Sequence, residues 1–100
     1  MSYPYRPPKF DHGSNLDIDL VAEQLTTEDR PCKIGILVKA DDDNTGDIFI
    51  GNADVTAGTD PLTDGMRLVP GDSIFFNVRN ANDLYVIGSA VNQKAWYFTV

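Results

Sequence analysis

Fifteen acidic residues stand against eight basic ones in this chain, for a formal charge of −7. The densest part of that excess is Asp41, Asp42, Asp43, Asn44 and Asp47 in DDDNTGDIFI, and it is the first place to look for chemistry. Laid on a calcium-binding EF-hand loop, Asp41 takes position 1, Asp43 position 3, Thr45 position 5 and Gly46 position 6. The twelfth position is then Asn52, where such loops need a bidentate glutamate, and no flanking helix is predicted. The run reads instead as a solvated hairpin turn in which Asn44 and Gly46 supply the unusual backbone angles. Asp41, Asp43 and Asp47 remain the weak metal candidates, and no cofactor is expected.

The other reactive side chains are isolated. His12 is the only histidine, so a site needing two imidazoles is impossible in one subunit. It lies in a Gly-Ser-Asn stretch that reads as a surface loop. Cys32, the single cysteine, follows Pro31 at a predicted strand start beside Lys33. A neighbouring cation lowers a thiol pKa, yet a lone strand cysteine without a histidine behaves as a small apolar residue. It cannot close an internal disulfide, which fits a reducing compartment. Neither a nucleophile elbow nor a phosphate-cradling glycine loop occurs. With so many carboxylates, chance proximity is no evidence for an acid pair. No enzyme is expected.

The elements that must carry these residues are strands. Leu16, Ile18 and Leu20 alternate with Asp17 and Asp19 at period two, and residues 21–25 continue that strand or turn a corner. Residues 33–40 place Ile34, Ile36 and Val38 on one face; Ile48 and Ile50 share a face in DIFIG. Residues 66–69 form a short strand before the turn signal Pro70 and Gly71, and Ile74, Phe76 and Val78 align in the next. Residues 84–87 and 95–100 complete the set. About seven or eight short strands with turn signals at intervals of ~8–12 residues predict a small antiparallel, all-β sandwich of jelly-roll type. No segment carries sustained helical periodicity, and there is no internal repeat.

One hundred residues make a single domain with one thin core. Residues 16–100 form the sandwich, and residues 1–15 an extended N-terminal arm. Pro4, Pro7 and Pro8 exclude a helix there and favour polyproline-like chain. Tyr3, Tyr5 and Phe10 are more aromatic content than disordered segments carry, and Arg6 and Lys9 make the arm basic. This points to an arm that lies on a partner. No signal-peptide core and no apolar run long enough for a membrane helix are seen. The acidic balance disfavours nucleic acid and anionic membranes as partners.

The strand aromatics are the remaining signal. Adjacent pairs such as Phe75 with Phe76 and Trp96 with Tyr97 must point to opposite faces, so one of each pair faces outward unless a loop or the arm covers it. Exposed aromatic surface on a small domain marks an interface. The interface candidates are Tyr3, Tyr5, Arg6, Lys9, Phe10, Phe75, Trp96 and Tyr97.

A resemblance follows from the order Leu25, Cys32, Ile34, Ala40, Asn44-Thr45-Gly46, Ile48, Ile50-Gly51, Val55, Pro61-Leu62, Pro70-Gly71-Asp72, Leu84-Tyr85-Val86 and Gly88. It resembles a small β-sandwich module of tailed-bacteriophage virion proteins, over residues 20–100. What the resemblance implies is a structural role in the virion: a capsid decoration or cement protein, or a head, fibre or tail adaptor piece. The implied partners are the major capsid protein or another virion protein, with further copies of the chain as a homo-oligomer on the particle. A carbohydrate-binding surface module is the alternative from another class, supported by Trp96 and Tyr97 beside Asp and Asn loops.

Overall fold

The computed structural model describes residues 10–100. The candidates Tyr3, Tyr5, Arg6 and Lys9 lie outside the described residues. Among the described residues eight strands follow one another: β1 (His12–Ile18), β2 (Glu23–Gln24), β3 (Ile36–Ala40), β4 (Ile48–Gly51), β5 (Met66–Leu68), β6 (Ser73–Phe76), β7 (Tyr85–Gly88) and β8 (Gln93–Thr99). A 3-10 turn, Ala81–Asp83, precedes β7, closed by a capping box between Asn80 and Asp83.

The strands form two four-stranded sheets, ordered β1-β8-β3-β6 and β2-β7-β4-β5, and every ladder is antiparallel. Only β4 and β5 are consecutive neighbours within a sheet; every other connection passes between sheets. That order is the jelly roll, two interlocked Greek keys.

The two inner faces meet on Ile18, Leu25, Ile36, Val38, Ala40, Ile48, Ile50, Leu68, Val86, Ala95 and Tyr97. Ile74, Phe76 and Val78 pack on this core from β6 and its continuation. Strand β8 shows the cause most plainly, because its burial alternates strictly: Gln93, Ala95, Tyr97 and Thr99 face in, the residues between them out. Gln93 is polar yet buried, and its amide is satisfied. It accepts from the Gly46 N–H at 2.8 Å and donates to the Thr45 hydroxyl at 3.0 Å and the Val91 carbonyl at 2.7 Å.

Several expectations are corrected. Strand β1 begins at His12, so this histidine is on a strand and not in a loop, although exposed. Of the alternating trio only Ile18 is buried. Between Asn15 and Ile18 the ladder with β8 shifts, a bulge that breaks the period and leaves Leu16 outside, and the chain turns after Ile18, leaving Leu20 exposed. Ile34 does not share the buried face of β3. It lies before the strand and is 60% exposed, in a bend where the N–H groups of Lys33, Ile34 and Gly35 all point at the Val100 carbonyl.

Residues 41–47 are not a hairpin turn either: β3 and β4 belong to different sheets, so the segment arches between layers. Among the described residues only Asn92, Gly58 and Gly71 have positive φ, so Asn44 and Gly46 supply no left-handed geometry. Asn44 instead imitates a strand. Its side chain accepts from the Lys94 N–H at 2.8 Å and donates to the Lys94 carbonyl at 2.9 Å. Gly46 is needed for space, since a Cβ there would meet the Ser89 hydroxyl at 2.7 Å. Gly71 (φ +89°) follows Pro70 in a tight turn closed by the Asp72 N–H on the Val69 carbonyl at 2.9 Å, as the sequence suggested.

Candidate functional site: an aromatic sheet face

Parity along the strands sends the second set of side chains of the first sheet outward. The ladders set His12 beside Phe98, Phe98 beside Leu37 and Leu37 beside Phe75, one row crossing all four strands. Phe75 is 44% and Phe98 39% exposed. A second row about 7 Å away holds Ser14, Trp96, Lys39 and Ser73, with Trp96 45% exposed. Phe10 meets Phe98 edge-on, with ring centroids 6.2 Å apart, and exposed Ile34 and Val100 extend the apolar surface at the same end.

Two features fix this face. The Phe75 ring lies over Gly35: a Cβ on that glycine would stand 2.5 Å from the ring and 2.2 Å from the Phe76 carbonyl. The Trp96 indole N–H donates to the Asp41 carboxylate at 2.9 Å, and the other Asp41 oxygen accepts from the Asp43 N–H at 3.1 Å. The indole first, and the Asp43 amide second, hold the Asp41 carboxyl below its ordinary pKa. Lys39 reaches Asp42 at 3.6 Å beside them.

Of the residues expected at an interface, Phe10, Phe75 and Trp96 come together here. Tyr97 does not: it is 5% exposed and part of the core, because it has the inward parity of β8. Leu37 and Phe98 were not singled out from sequence, and only the pairing of β8 with β3 brings them into the row. The metal candidates do not converge. Asp41 turns to Trp96, whereas Asp47 pairs with Arg67 of the second sheet at 2.8 Å. No cluster of three or more His, Cys, Asp or Glu that could hold a metal is found among the described residues.

Cys32 is buried, and its thiol contacts the Arg30 carbonyl at 3.6 Å. Burial, with a smaller contribution from Asp83, raises its pKa away from the reactive range.

The opposite side of the molecule is organised by a residue that sequence reasoning passed over. One Asp64 oxygen accepts from the Thr56 hydroxyl at 2.6 Å and from the N–H groups of Gly58, Thr59 and Asp60 at 2.8, 3.0 and 3.2 Å. The Thr56 hydroxyl foremost, then the three amides, lower the Asp64 carboxyl pKa. The loop gathered in this way closes over Phe49, whose ring is 3.8 Å from a Cβ built on Gly58. Beside it runs an open groove of about 430 Å³ lined by Leu20, Ala57, Ile87 and the threonines Thr56 and Thr59. Among the described residues its lining includes no titratable side chain.

Comparison with protein-family models, with curated proteins and with solved structures found no match to this chain.

Proposed function

We propose that this chain is a non-enzymatic structural protein of a virion, a capsid decoration or cement protein, which attaches through the outer face of its β1-β8-β3-β6 sheet. The observation that carries the reading is the row Phe98, Leu37 and Phe75, continued by Phe10 and Trp96. An apolar aromatic patch held on rigid strands supplies affinity by burial and specificity by shape. Jelly rolls recur in viral shells and in lectins, and that fold-level analogy supports the class without identifying the partner. Repeated weak attachments on a lattice add up by multivalency, and binding only the assembled shell stabilises it by linkage. The charge of −7 keeps crowded copies soluble.

The test is binding to particles stripped of this protein. Saturable attachment in many copies, a higher particle melting temperature and loss of both with Phe98→Ser support the cement role. Attachment at a handful of positions indicates a fibre or tail adaptor, and no attachment overturns the virion reading. A carbohydrate-binding module is the second reading, favoured by a half-exposed Trp96 whose indole is locked by Asp41. It requires saturable glycan binding that Trp96→Ala abolishes.

A further inference from the structure

We infer that the aromatic face of one copy receives residues 1–9 of a second copy, so that the protein links to itself by exchanging N-terminal arms. The inference rests on the reading of this face as a docking surface and names its immediate occupant, so that on a particle a neighbour's arm would lie between the face and the shell.

Three observations support it. First, the segment joins the sandwich at the rim of the face, since Phe10 packs on Phe98 and Asp11 is tied to Thr99 by N–H···O bonds in both directions. Second, the segment reads MSYPYRPPK, and Pro4-Tyr5-Arg6-Pro7 is the spacing that aromatic-lined surfaces recognise in polyproline II chain. At three residues per turn that conformation would put Pro4 and Pro7 on one ridge and Tyr5 and Pro8 on the next. Tyr3, Arg6 and Lys9 would share the third. Two apolar ridges match the row of Phe98, Leu37 and Phe75, and the third carries the positive charge.

Third, the charges are complementary. The segment has Arg6 and Lys9 and no acidic residue, while all fifteen Asp and Glu lie beyond it. Asp11 stands at the rim of the face, and Asp41 and Asp42 stand beside Trp96 and Lys39.

Direction favours a second copy over the segment's own sheet, and length allows it. Nine residues in polyproline II span about 28 Å, and four strands are about 14 Å wide between the axes of the outer two. Asp11 and His12 run antiparallel to the end of β8, so doubling back would require a reversal before Phe10, where the sequence Pro7-Pro8 favours extended chain. A neighbour demands no reversal.

Trp96 is the only tryptophan, so intrinsic fluorescence reports directly on the face. The experiment is sedimentation of the full-length chain over a wide dilution series, with Trp96 emission read in parallel, for the native chain and for Tyr5→Ser/Pro7→Ser. Both substitutions lie outside the sandwich, and an unchanged melting curve at high dilution verifies its fold. Expected are concentration-dependent association, a blue-shifted Trp96 emission on association, and weakening of both by roughly tenfold or more in the variant. A peptide of residues 1–9 should compete and dissociate the native chain. Monomers at every concentration overturn the inference, as does association that the variant leaves unchanged. Arm-dependent emission that ignores concentration also overturns it, because the arm then lies on its own sheet. No particle is needed, so self-association without particle binding retains this inference and discards the cement role, and the reverse result does the opposite.

Discussion

At the scale of single residues, one step along β8 separates a core side chain from a surface one. Tyr97 fills the space between the sheets, and Tyr97→Ala should cost about 3–5 kcal/mol by transfer and cavity terms together. Trp96→Ala, one position earlier, should cost about 1 kcal/mol or less and act on binding instead. Urea unfolding of the two variants checks this, and equal losses would remove Trp96 from the outer face. Asp41 sets a pH dependence. Its carboxyl pKa is lowered on folding from the ordinary 3.8, so its contribution is complete above that value and disappears as pH falls through the lower folded value. Trp96 emission should therefore change in that acid range, and Asp41→Asn should abolish the step.

At the scale of elements, the loop over Phe49 is held by one carboxylate. Asp64→Ala leaves the N–H groups of Gly58, Thr59 and Asp60 without their common acceptor, and their hydrogen exchange should accelerate while β3 and β8 keep their protection. Equal rates before and after would mean that packing alone closes the loop. Elements of this kind differ in how far they can be read from sequence. The strands around Ile36 and Val38, around Ile48 and Ile50, and around Ile74 and Phe76 were legible, because period two with flanking turn residues is a local signal. The face of Ile34, the bulge after Asn15 and the arch at 41–47 were not. Each depends on contacts with Val100, β8 or Lys94 that are distant in sequence. The outward aromatic face was half legible: parity announced that one of Trp96 and Tyr97 must be exposed, and only the core decided which.

At the scale of the whole molecule, the first strand closes against the last. Thr99 and Asp11 exchange hydrogen bonds, and β1 pairs with β8 along its length apart from the bulge. Removal of residues 1–9 leaves that ladder whole, whereas removal of residues 1–14 deletes His12, Gly13 and Ser14 from it. At high dilution the first truncation should melt with the full chain and the second several degrees lower. Coincident melting of all three would show that the β1 ladder contributes little. The same architecture gives the slab two unlike sides, aromatic on the first sheet and capped by the Asp64 loop on the second. Leu62, 92% exposed, stands on that loop. On a particle that holds the first sheet inward, the outside world meets the loop and not the tryptophan. A protease, an antibody or a peptide inserted beside Leu62 should thus find the bound protein as accessible as the free one, while reagents that attack indole are shut out.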